Sequence, residues 1–357
     1  MIECIFTLDY EIYGNGEGSL RDLVLDPTQG LAKLFAEFKA PFVVFAEAVE
    51  FAKMQEMQSD PDIARVPAQL RELRAAGHEI ALHMHPWWAN AKYVDGRWRF
   101  DWSERNICTL EPARAEAIVT GAIRYLRDSL VDPQFTPLSF RNGLWVMQPT
   151  PLLGNLLVRH GVRVDSSVFK GGRIRALGLD YGPAHKNDGF WRFSSDVNVP
   201  DSDGMLWEIP IYTQQVPFWH MLGRKRLKLH KKARNTNNPH APLANRWLDF
   251  LRFRYPRKLD FCRMTFAEMQ GAIEQVLEEG KRRPEERTPV VAIGHSKDFV
   301  DSEAIRRFLS FLQERAIAVT TFSRWLAETD TTLKSVKAEA AKAVAAPKAL
   351  VNWTTTS

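Results

Sequence analysis

The chain is poor in cysteine: Cys4, Cys108 and Cys262 are spread through 357 residues, too far apart for a disulfide framework or a CxxC metal pair. Buried, idle thiols are the expectation. No apolar run approaches the roughly 18 residues of a membrane span, and no basic-then-apolar leader precedes the first predicted strand. A cytoplasmic protein is therefore expected, unless another protein exports it. An internal repeat and a nucleic-acid fold motif are also missing, so nucleic acid is the least expected partner. The formal net charge of +5 is concentrated, because Arg224 to Arg234 carries seven positive charges and the tail from Thr331 nets +3. The remainder is acidic, so the basic balance describes one loop and one tail. What is present, 45% hydrophobic and 25% charged residues, is ordinary for a folded globular chain.

Periodicity predicts alternating strands and helices. Strands are expected at Ile2 to Leu8, Pro41 to Ala46, Glu79 to His83, up to about Arg141, Val162 to Val168, Leu206 to Ile211, Val290 to Gly294 and Ala318 to Thr321. Helical spacing runs from Gln29 to Phe38, Asp62 to Ala76, Glu111 to Leu130, Thr150 to His160 and Ser302 to Glu314, and Thr265 with Glu268 reads as a capping box opening a helix to about Arg282. Such alternation implies an α/β fold of parallel strands with right-handed crossovers, and the length suits a barrel with insertions, although an open sheet fits nearly as well. One domain over 1–329 is expected, with an aperiodic basic insertion at about 217–260 and a low-complexity, disordered tail at 330–357.

The polar residues fall at strand ends. His83 and His85, two apart on a strand, point to one face, and Asp9 and Glu11 repeat the spacing after the first apolar run. Two histidines and a carboxylate make one face of a metal site, so Glu11, His83 and His85 are candidate ligands. Zinc is the default ion, with iron, cobalt and nickel compatible. An ion there would polarise a carbonyl and acidify water, Asp9 is placed to take the proton from attacking water, and His295 to protonate a leaving group. Arg141 would pair with Asp9 and hold it. No organic cofactor is indicated.

The ordered motifs Thr7-Leu8-Asp9-Tyr10-Glu11, Gly77-His78-Glu79-Ile80 followed by His83-Met84-His85-Pro86, Ser139-Phe140-Arg141-Asn142-Gly143, Asp165-Ser166-Ser167 and Ile293-Gly294-His295 resemble the polysaccharide deacetylase superfamily, a carbohydrate esterase type with NodB-like homology. Within it, the branch found among enzymes of surface-polysaccharide and O-antigen biosynthesis is most similar. The resemblance implies a distorted (β/α) barrel of about seven strands and metal-dependent removal of an N- or O-acetyl group from a sugar. It implies Asp9 as base, Glu11 as ligand, Arg141 as the arginine of the third motif and His295 as acid. Two departures stand out: Tyr10 separates the two acids, which the family commonly has side by side, and Trp87 occupies the position four after His83 where the second histidine is usual.

Trp87, Trp88 and Trp145 follow motif residues and read either as a sugar-stacking wall or as core, and Asp165 either as a substrate contact or as a turn residue. His78 precedes its strand and suits a turn or an outer support for the ligands. The run from Arg224 reads as a solvated loop, an anionic-ligand contact or a peripheral attachment to an anionic membrane face. The substrate expected is an acetylated sugar, nucleotide-sugar or lipid-linked glycan. Hydrolysis of a non-sugar amide or ureide, and a glycan-binding protein without catalysis, are the competing readings.

Overall fold

Ile2 to Tyr10 is buried along nearly its whole length, the mark of a strand covered on both faces, and it is the axis around which the sheet is built. In this computed structural model residues 1–217, 254–282 and 287–329 are described. The basic run from Arg224 and the tail from 330 lie outside the described residues. The strands used below are β1 (Ile2–Tyr10), β2 (Val43–Glu47), β3 (Glu79–Met84), β4 (Ser139–Asn142), β5 (Val164–Asp165), β6 (Trp191–Phe193), β7 (Leu206–Glu208), β8 (Thr213–Pro217), β9 (Arg254–Lys258), β10 (Thr288–His295) and β11 (Ala318–Thr320). The helices are α1 (Asp26–Glu37), α2 (Ala48–Met57), α3 (Arg65–Ala75), α4 (Pro112–Leu130), α5 (Thr150–Arg159), α6 (Phe266–Gly280) and α7 (Ser302–Glu314).

The sheet runs β6-β7-β5-β4-β3-β2-β1-β10, with β11 beside the first half of β1. Its pairings are parallel except β6 with β7. The sheet curls far enough that Ile211 bridges Phe169 on one side and Val291 on the other. Eight strands lie along this path, against the expected seven or so, and β6 is the antiparallel addition.

Helices cover the sheet because their apolar residues repeat at three and four. In α4, Ile118, Val119, Ala122, Ile123, Leu126 and Leu130 are buried, and each large side chain of this kind contributes about 1.5–3 kcal/mol. The capping box of Thr265 and Glu268 opens α6. Several elements were not expected, among them α2, which starts directly at the end of β2, a helix at 322–329, and the strands β6, β8 and β9. Two expected strands shrink to β5 and β7, although Ser166 and Ile209 just beyond them still donate to the Phe140 and Asp165 carbonyls of the neighbouring strands. The three cysteines are buried and unpaired. Among the described residues no helix is long and apolar enough to cross a membrane.

Candidate active site

The register of the parallel strands sets the site. Asp9 lies opposite His295, and His83 opposite Glu47 on one side and Arg141 on the other, so the C-terminal ends of five strands bring their polar residues together. Glu11 Oε2 lies 3.3 Å from His83 Nε2 and 3.2 Å from His85 Nδ1. Glu11 Oε2 and His85 Nδ1 are buried and make no hydrogen bond. Such atoms converging without a donor between them are costly unless something fills the gap. Ligand atoms of the three residues lie within 4.8 Å of one another, a spread that fits one divalent ion.

The surroundings prepare these groups as ligands. His83 Nδ1 bonds the Arg141 carbonyl at 2.7 Å, which directs the lone pair of Nε2 toward Glu11. Burial drives the pKa of His85 down to about 3, against the pull of Glu11, so its ring is neutral. Burial also opposes charge on Glu11, but Lys297, His85 and His83 outweigh it and hold the carboxylate well below its usual range. Lys297 Nζ donates to Glu11 Oε1 at 2.7 Å and to the Ile12 carbonyl at 2.9 Å. Glu47 accepts from the His85 backbone N–H at 2.5 Å, and Glu50 from Ile12 at 3.0 Å, so each buried acid braces the backbone beside a ligand. Gly143 is needed for the same reason, because a Cβ there would lie 2.3 Å from His85 Cδ2 and 2.6 Å from the Met84 carbonyl.

Asp9 is fixed by Arg141, whose Nη1 donates to Oδ1 at 2.5 Å. The guanidinium is fully buried, also donates to Thr7 Oγ1 at 3.0 Å and the Ser166 carbonyl at 2.9 Å, and stacks on Phe45. That leaves Asp9 Oδ2 facing His295 Nε2 at 3.4 Å. The other nitrogen of His295 faces Asp298 Oδ2 at 3.7 Å, and Arg263 grips that carboxylate at 2.6 Å. Burial first, then Lys297, holds the His295 pKa well below its ordinary value.

The aromatic candidates separate. Trp87 packs on His85 with centroids 4.4 Å apart, whereas Trp88 is fully buried against Trp98 and Phe100 and faces no open space. Trp145 stands 6.3 Å from His295, with Lys258 over its ring. Leu144 and Trp145 both have left-handed backbones, φ 54° and 60°, costing about 1–3 kcal/mol each, and Tyr181 holds the turn by donating to the Trp145 carbonyl at 2.5 Å. His78 accepts from the Phe42 N–H at the opposite end of the sheet, away from the site.

Asp165 lies apart from the cluster. It is fully buried, accepts from Ser167 at 2.6 Å and sits opposite Glu208. Burial raises its pKa to about 6 and, with Asp165 as neighbour, that of Glu208 well above the usual range. A carboxyl group whose pKa is raised on folding stabilises the fold below its unfolded value and loses that contribution as pH rises through the folded one. Asp165→Asn, whose amide can donate to Glu208, is therefore expected to raise stability at pH 8 by about 1–3 kcal/mol and to flatten the fall in Tm between pH 5 and 8. Thermal melts across that range check this, and an unchanged pH slope would refute it.

Lys297, Glu47, Asp298 and Lys258 were not singled out in the sequence. Lys297 had a signal, since it stands two after His295. Glu47 directly follows the expected end of its strand. Lys258 sits at the edge of the aperiodic insertion and had none.

No family model matches the chain, and no curated protein sequence matches it. Three solved structures share its fold at a TM-score of 0.52. One is a candidate polysaccharide deacetylase from Mycobacterium smegmatis, 16% identical over 93% of this chain and 91% of that one. The others are GH57 branching enzymes of Thermococcus kodakaraensis and Pyrococcus horikoshii, each 12% identical over 91% of this chain and 71% or 70% of theirs.

Proposed function

We propose that this chain is a metal-dependent deacetylase that removes the acetyl group from an N-acetylated sugar during assembly of a surface polysaccharide such as a lipopolysaccharide O-chain. The fold alone does not choose between acyl and glycosyl chemistry, since enzymes of both kinds carry it. The observation that favours deacetylation is the convergence of Glu11, His83 and His85, with unsatisfied donor atoms, beside Asp9 clamped by Arg141. The ordered motifs in the sequence support the same superfamily.

Glu11, His83 and His85 would hold the ion, zinc by default and iron, cobalt or nickel by the same donors. A divalent ion there supplies Lewis-acid polarisation of the acyl carbonyl and acidifies water. Asp9, unable to swing because Arg141 holds one oxygen, takes the proton from the attacking water. The new C–O bond forms and the C–N bond breaks, and the proton that Asp9 took passes to His295, 3.4 Å away, which gives it to the departing nitrogen, yielding acetate and a free amine. Asp298, held by Arg263, lies beside the other ring nitrogen of His295. The acetylated substrate is a free, nucleotide-linked or lipid-linked sugar, and the protein acts in the cytoplasm, peripheral to the inner membrane face.

The deciding experiment combines metal analysis of the purified protein with acetate release from N-acetylated sugars. The expected result is one ion per chain and acetate release that a chelator stops and added zinc restores. Opening of cyclic amides or ureides without acetate release would favour the non-sugar hydrolase. Absence of metal, with no affinity for zinc, would favour a glycan-binding protein.

A further inference from the structure

Lys258 ends β9 close to the site, and nothing in the deacetylation chemistry uses it. Its Nζ lies 3.0 Å from the Trp145 ring centroid and 4.5 Å from that of Phe169. Two aromatic faces attract an ammonium group but do not neutralise it. Among the described residues it has no ion pair and no side-chain hydrogen bond, and it is half-buried, so its ammonium group is open to a ligand arriving from solvent. Burial lowers its pKa to about 7, with Asp260 and Asp9 raising it and Arg263 and Arg141 lowering it. The Trp145 ring places this cation one aromatic side chain away from His295.

A neighbouring hairpin adds positive charge. Tyr181, which holds the Trp145 carbonyl and packs 5.9 Å from Phe169, bonds through its backbone to Gly171 and Gly172 at the base of a short hairpin, Arg173–Ile174 with Leu179–Asp180. That hairpin and the turn after it carry Arg175 and Lys186, exposed and without ion pairs among the described residues, while Asp180 is already taken by Arg173 at 2.8 Å.

We infer that Lys258, presented on the faces of Trp145 and Phe169, binds an anionic substituent of the substrate, a carboxylate or a phosphate ester on the sugar that reacts beside His295. The reaction named here rests on the deacetylase reading, whereas the anion subsite rests on Lys258 and its aromatic cradle. An oxyanion at this point would complete the ammonium group's hydrogen bonds and offset the charge the protein leaves uncompensated.

Titration calorimetry of the full chain with glucosamine, glucosamine 1-phosphate and 2-amino-2-deoxyglucuronic acid tests this, since none of the three can be deacetylated. At least one anionic sugar is expected to bind about tenfold or more tightly than glucosamine. Whether the phosphate or the uronate prevails identifies the source of the charge. Lys258→Gln and Lys258→Met, each checked for folding by circular dichroism, should abolish the preference, and Lys258→Arg should keep most of it. Equal binding of all three sugars by the unaltered protein, or a preference surviving in Lys258→Gln, would overturn the inference. Acetate release from the matching acetylated sugars is scored separately, so its failure counts against the reaction and not against the subsite.

Discussion

Asp9→Asn is expected to lower turnover by about two to four orders of magnitude while leaving the ion in place. The substitution keeps the shape of the side chain, and its amide oxygen still accepts from Arg141 at the position now held by Oδ1. None of the three candidate ligands is altered. What disappears is the lone pair of Oδ2, which faces His295 and is the atom free to take a proton. The buried guanidinium also loses its counter-charge, so stability should fall by about 1–3 kcal/mol, softened by the hydrogen bonds from Arg141 to Thr7 and Ser166. Metal content and acetate release measured on the same preparation separate the two roles. Full activity would remove Asp9 as the base, and loss of the ion would make it a ligand instead.

Glu11→Gln is expected to abolish both metal retention and activity. A carboxamide turns either a donor or a neutral oxygen toward His83 and His85, where a charged carboxylate now converges with them. It also withdraws the partner of Lys297, leaving that buried ammonium with the Ile12 carbonyl. Affinity for zinc should fall by at least about 100-fold, as expected for losing a charged ligand rather than an outer support, which costs about 10- to 100-fold. Measuring bound metal after dialysis decides the matter. Stoichiometric metal in Glu11→Gln would shift the ion to another set of donors.

The parts of the fold legible in the sequence are those where burial leaves a continuous apolar run. Ile2 to Leu8 and Val290 to Gly294 are covered on both faces, and only Glu3, which pairs with Arg287, and Thr7 interrupt the first while nothing polar interrupts the second. α2 was not legible because it follows β2 without a turn residue, and its buried face includes Glu50 as well as Phe51 and Met54. The ends of β5 and β7 were placed too far along, although Ser166, Ile209 and Ile211 still donate backbone bonds to Phe140, Asp165 and Val168 beyond them. In the site, alternation at a strand end pointed to Asp9 with Glu11 and to His83 with His85, since the two-residue period is a local property. Glu47 and Lys258 act across distances that no local period encodes. Trp88 shows the reverse limit, since its place beside the motif did not reveal that it faces Trp98 and Phe100.

The pairing of β1 with β10 also has a consequence for how the protein is made. Asp9 and His295 are made far apart in order of synthesis, and β1 has its partner on that side only when residues 288–295 arrive. A nascent chain that has produced α1 to α5 holds an apolar first strand with one edge unpaired, an open template for other chains. Closing that edge is the same event that delivers His295 to Asp9 and Lys297 to Glu11. The candidate site is thus completed at the moment this edge is closed.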